Sequence, residues 1–125
     1  MTNLQLARLR QRFRELKARR IALEYVSMKP HAMVAASLLE RRFRVGAPPA
    51  YYLSIPSPQT SRHRYVRKAD VEMIRRQTDA WREFSRAITE IVRIDREIEQ
   101  LLRRIGKGRC RNIETLWSKR RKKRG

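Results

Sequence analysis

The chain has 125 residues and a formal net charge of +20, from 32 lysines and arginines against 12 acidic side chains. A charge that large repels itself, so a polyanionic partner is expected to relieve it on binding. One cysteine, Cys110, cannot form an intramolecular disulfide, and no run reaches the ~20 apolar residues that span a bilayer, which excludes a disulfide-stapled scaffold and a membrane helix.

The first predicted element is a helix over residues 3–28. Leu6, Leu9, Phe13, Leu16, Arg20 and Leu23 are spaced by 3 and 4, a heptad seam with one polar interruption. Thr2 or Asn3 can cap its start. Pro30 sets its end, because the residue before a proline is pushed out of helical geometry. Residues 1–26 carry a net charge of +5. Arg8, Arg12 and Arg19 lie near one side of this helix and are candidate phosphate contacts; the competing reading is a solvated coiled-coil flank. Arg, Gln or Glu interrupts Leu4 to Leu23 too often for an export signal, so a cytoplasmic location, free or nucleoid-associated, is expected.

Residues 37–66 read as a three-stranded antiparallel meander inside a stretch of net charge +7. SLLERRFRV (37–45) alternates with period two, AYYLSI (50–55) is rich in strand formers, and RHRYV (62–66) returns antiparallel. Gly46–Pro49 and Pro56–Ser61 are the turns. Side chains two apart on a strand share a face. That groups Tyr51, Leu53 and Ile55 and turns Tyr52 and Ser54 away from them; it likewise separates His63 and Tyr65 from Arg62, Arg64 and Val66. Rings interleaved with cations suit unpaired nucleic acid, because rings stack on bases while guanidinium groups hold phosphates. Arg41, Arg42, Arg44, Arg62, Arg64, Arg67 and Lys68 are the candidate phosphate contacts here, and Tyr52 and His63 the candidate stacking residues. The competing reading is that the tyrosines only pack the sheet onto the helices.

A long helix is predicted over residues 69–105, with zero net charge and a seam of Ile74, Gln77, Trp81, Phe84, Ile88, Ile91, Asp95, Ile98, Leu102 and Ile105. At 1.5 Å per residue it extends for roughly 50 Å, so it needs a partner for that seam. The N-terminal helix is the nearest one, in an antiparallel hairpin. The remainder is open to a second copy of the chain, to a larger protein partner, or to the short helix near Ile113, Leu116 and Trp117. Residues 106–125 carry a net charge of +8 and read as a hinge over residues 106–112 after a helix end at Gly106, a short helix and a basic tail, in which Lys119, Arg120 and Arg121 are candidate phosphate contacts.

The expected fold is therefore α+β: a long antiparallel helical hairpin with a three-stranded antiparallel β insert and a basic C-terminal appendage, residues 1–105 forming a single domain. No catalytic residue, metal or cofactor is expected. His31, His63 and Cys110 are far apart and lack ligand spacing. There is no glycine-rich phosphate loop and no nucleophile motif. The residues point to a non-catalytic protein that binds RNA or DNA, with RNA or single-stranded nucleic acid ahead of duplex DNA. Neither a membrane nor a small-molecule substrate is expected as a partner. Two alternatives stay open: a structural protein that dimerises or docks an enzyme through the long helix, and an accessory protein for duplex DNA. Against the last, helices separated by strands carry no helix-turn-helix signature.

The strings SLLERRFR (37–44), PAYYLS (49–54), RYV (64–66) and the helix from Arg75 to Ile91 resemble a family of small basic prokaryotic proteins often met beside mobile genetic elements. The resemblance covers about residues 36–102. It implies a sheet placed before a long helix, and work near transposition or other nucleic-acid machinery, such as a subunit of a ribonucleoprotein or mobile-element complex. Members of that family commonly carry a cysteine-containing, glycine-rich loop between the first two strands, of a kind that can bind metal. This chain has only Gly46–Pro49 there, with no cysteine, so a metal role does not carry over.

Overall fold

A computed structural model describes residues 1–60 and 62–124, with side chains through residue 118. The order is α1 (Asn3–Ser27), β1 (Ser37–Arg41), β2 (Ala50–Ile55), β3 (Arg62–Val66), a 3-10 turn (Lys68–Asp70), α2 (Val71–Arg109) and α3 (Ile113–Arg124). The fold is α+β. Two compact units divide it: Met1–Ile21 with the chain from Val92 onward, and Ala22–Ile91.

In the first unit, α1 opens with a reciprocal cap. The Gln5 backbone N–H donates to Thr2 Oγ1 at 3.1 Å, and the Thr2 N–H donates to Gln5 Oε1 at 2.9 Å. Two amides that no helical carbonyl can reach are thereby satisfied. The start of α1 runs antiparallel to the end of α2: the Met1 side chain lies against Gly108, while Arg12 meets Glu97. Leu16, Ile94 and Leu101 are buried here. The polar interruption of the α1 seam meets an acid of α2. Arg20 Nε donates to Asp95 Oδ1 at 2.6 Å and Nη2 to Oδ2 at 3.2 Å, a two-pronged pair. At the start of α3, Asn112 Oδ1 accepts from the N–H groups of Glu114 and Thr115.

The seam of α1 is shielded as its spacing predicts, at Leu6, Leu9, Phe13, Leu16, Arg20 and Leu23. The seam of α2 follows expectation through Ile74, Gln77, Trp81 and Phe84, all of them shielded, and differs at alternate positions from Ile88 onward. The shielded line is Gln77, Ala80, Phe84, Ala87, Ile91, Ile94, Ile98, Leu101 and Ile105, whereas Ile88, Asp95 and Leu102 are exposed. Both lines step by 3 and 4 and share five residues. The observed one keeps the Asp95 carboxylate in water beside Arg20, and burying a carboxylate is costly. It also brings in Ile94, which is 2% exposed. A second correction concerns the end of α2. The helix does not stop at Gly106 but continues to Arg109, so the break before α3 is only Cys110–Asn112.

In the second unit, Lys29 Nζ donates to Glu83 Oε1 at 2.8 Å, and the Val34 N–H donates to the Gln77 carbonyl at 3.0 Å. These ties hold the extended segment after α1 along α2. The Trp81 and Phe84 rings stack at 5.7 Å. The sheet is an antiparallel meander in the order β1-β2-β3. Val66 at its end and Val71 at the start of α2 are buried. β1 is shorter than its alternation predicts, ending at Arg41 rather than at Val45. A turn cuts it off: the Ala47 N–H donates to the Arg44 carbonyl at 3.1 Å, and Gly46 has φ +79°, a conformation that costs a side chain about 1–2 kcal/mol. Phe43 and Val45 are consequently exposed in the loop.

Candidate nucleic-acid interface

The register fixes which side chains share a face. Leu39, Tyr52 and Tyr65 are aligned across the three strands, as are Ser37, Ser54 and His63, while Arg41 stands opposite Ala50. All of these lie on one face. Tyr51, Leu53 and Ile55 lie on the other, with Val66, Arg64 and Arg62 as their partners. The period-two reading of the sequence is thus the arrangement found. On the Tyr51 face the Arg75 guanidinium sits 5.8 Å from the Tyr51 ring, which ties that face to the start of α2.

The opposite face carries the aromatic and cationic cluster. The Arg41 guanidinium lies 5.6 Å from the centre of the Tyr52 ring, a cation–π contact. Arg41 Nη2 is also 3.3 Å from His63 Nδ1. A guanidinium can only donate. His63 Nδ1 is therefore the acceptor in this contact. Tyr65 packs edge-on to Tyr52 with centroids 5.7 Å apart. Tyr52 is half-buried, while Arg41, His63 and Tyr65 are exposed. Three residues expected to contact nucleic acid (Arg41, Tyr52 and His63) come together here. Tyr65 belongs with them and was not among the stacking residues expected from sequence. The signal was present, since Tyr65 is two residues from His63 on the same strand.

The other expected residues are distributed more widely. Arg62 and Arg64 are on the same strand but the opposite face, exposed. Arg42 donates to the Ala47 carbonyl at 3.0 Å and lies 3.5 Å from Glu40, bracing the β1–β2 loop. Arg44 is in that loop, and Arg67 and Lys68 follow β3; all three are exposed. In the first unit, Arg8 lines an open groove with Gln5, Arg104 and Lys107. Arg19 is exposed on α1. Arg12 is engaged within the protein: Nη2 donates to Glu97 Oε1 at 2.8 Å, and the hydrogen bond raises its pKa above the usual arginine value. Lys119, Arg120 and Arg121 belong to α3, but their side chains are outside the described residues.

Ion pairs of this kind gather the acids of α2 against α1 and the segment that follows it. Hydrogen bonds from Lys29 and from Arg20 hold the Glu83 and Asp95 carboxyls below their usual range. Glu83, Asp95 and Glu97 thus face cations of the same chain. Among the described residues, no group of three or more His, Cys, Asp or Glu side chains could hold a metal ion, and no helix is long and apolar enough to cross a membrane. No protein-family model matches the chain, and neither the curated proteins nor the solved structures include a match.

Proposed function

We propose that the chain is a non-catalytic nucleic-acid-binding protein whose contact surface is the sheet face of Arg41, Tyr52, His63 and Tyr65. The observation that carries this reading is their convergence on one exposed face. A guanidinium, an imidazole and two phenol rings within one cluster offer phosphate contacts and stacking surfaces side by side. The net charge of +20 supplies long-range attraction to any polyanion. Membership of a ribonucleoprotein or mobile-element complex, which the family resemblance implies, fits the same surface. The test is fluorescence anisotropy with a labelled mixed-sequence oligonucleotide at physiological ionic strength. Binding should weaken at least about fivefold in Arg41→Ala/His63→Ala, with the circular dichroism spectrum unchanged. An unchanged affinity would remove this face from the interface.

A second reading, an interaction protein, draws on one specific observation. The observed α2 seam leaves Ile88 and Leu102 exposed, and either could contact a second copy or a larger partner. Sedimentation equilibrium decides it: a concentration-dependent dimer abolished by Ile88→Glu supports this reading, and a monomer at all concentrations opposes self-association.

A further inference from the structure

β3 stands at the margin of the sheet, so among the described residues one side of its backbone has no strand beside it. Arg62, His63, Arg64 and Tyr65 are all exposed. Arg62 and Arg64 project with Ile55 and Leu53, and His63 and Tyr65 with Ser54 and Tyr52. The free margin therefore has cations on one side and rings on the other.

We propose that β3 is a reading edge for single-stranded nucleic acid: the strand lies along it, Arg62 and Arg64 hold successive phosphates, and Tyr65 stacks on an unpaired base. This rests on the nucleic-acid reading above and specifies which nucleic acid is bound and how. Ring availability is the first argument. Tyr52 is half-buried, with Arg41 against its face and Tyr65 set edge-on to it. Tyr65 is 61% exposed and is the ring of the pair that a base can reach. Spacing is the second argument. Alternate residues on an antiparallel strand are about 6.8 Å apart, close to the separation of neighbouring phosphates on an extended, unstacked strand. The third is discrimination. In a duplex each base face is already covered by its neighbours, so only the charges of β3 find partners. An unpaired strand uses the charges and the ring together.

The full-length chain is titrated against three labelled probes of equal length: an oligouridine, an oligothymidine and a blunt DNA duplex. Tyr65→Ala should weaken single-strand binding by roughly 5- to 150-fold, the range expected when one stacked base is given up. Duplex affinity should change less than about twofold, and the salt dependence should not change. Tyr65→Thr, which keeps strand propensity without a ring, should match Tyr65→Ala. Arg62→Ala/Arg64→Ala should reduce the slope of log K against log salt by about 1.4 for the single strands, at roughly 0.7 for each phosphate no longer neutralised. The two single-stranded probes distinguish RNA from DNA as the source of the strand. Wild-type binding that survives Tyr65→Ala, or that falls equally for the duplex, overturns the reading edge and leaves the nucleic-acid reading standing. Failure of the wild type to bind any probe overturns both.

Discussion

Leu101 and Leu102 provide two chemically identical perturbations on opposite sides of one boundary. Leu101 is 8% exposed and Leu102 is 50% exposed. Replacing either by alanine removes three carbons, about 2.4 kcal/mol of transfer free energy at full burial, from roughly 0.8 kcal/mol per methylene. Leu101 retains nearly all of that and adds a cavity term, so Leu101→Ala should cost about 3 kcal/mol. Leu102 retains half and leaves no cavity, so Leu102→Ala should cost about 1 kcal/mol. The gap of about 2 kcal/mol corresponds to roughly 6–10 °C in melting temperature for a chain of this size. Thermal melts followed by far-ultraviolet circular dichroism in one buffer measure it directly. Equal losses, or a larger loss for Leu102, would show that the buried line of α2 runs through Ile88, Asp95 and Leu102, and would refute the packing described for this helix.

Acid should destabilise the helix pairing. Lowered carboxyl pKa values mean that the stabilisation from Glu83 and Asp95 is complete above the ordinary values of 4.5 and 3.8 and is lost as pH falls through their lower folded values. The melting temperature should therefore drop at and below pH ~4, and Asp95→Asn should flatten that part of the profile; an identical profile for the variant would remove Asp95 as a source. The glycines should respond with opposite signs. Gly106 lies inside α2 with open space where a Cβ would be, so Gly106→Ala should stabilise by about 0.5–1 kcal/mol. Gly46 has positive φ, so Gly46→Ala should destabilise by about 1–2 kcal/mol. Urea melts of the two variants give both signs.

Much of the fold was legible in the sequence because its signals are local. Period two separated Tyr52 from Leu53 and Ile55 on β2, and His63 and Tyr65 from Arg62 and Arg64 on β3; the strand register then aligned Tyr52 with Tyr65 on one face. The α1 seam followed from spacing alone. What escaped depended on choices that spacing leaves degenerate. Two frames of α2 share Gln77, Phe84, Ile91, Ile98 and Ile105, and only the cost of burying Asp95 separates them. Gly106 read as a stop, but a glycine ends a helix by adopting positive φ, and among the described residues Gly46 is the glycine that has it. The site was legible in part. The place of Arg41 over the Tyr52 ring was not legible, because it depends on one side-chain rotamer reaching between strands. The pairing of Arg12 with Glu97 was not legible, because the two are 85 residues apart in the chain.

An unpaired strand margin is also a template on which another chain can polymerise. β3 opposes this with two arginines in five residues, so copies approaching margin to margin meet like charge. That protection is electrostatic and hence conditional. A polyanion that neutralises Arg62 and Arg64 removes it on binding, just as it concentrates copies of the chain along its own length. On the proposed reading, colloidal behaviour should follow stoichiometry: the chain should stay dispersed when either component is in excess and self-associate near charge balance, a maximum that light scattering would locate. If β3 takes up nucleic acid as proposed, the same two side chains bear on both ligand capture and solubility, and replacing them to weaken the first also weakens the second.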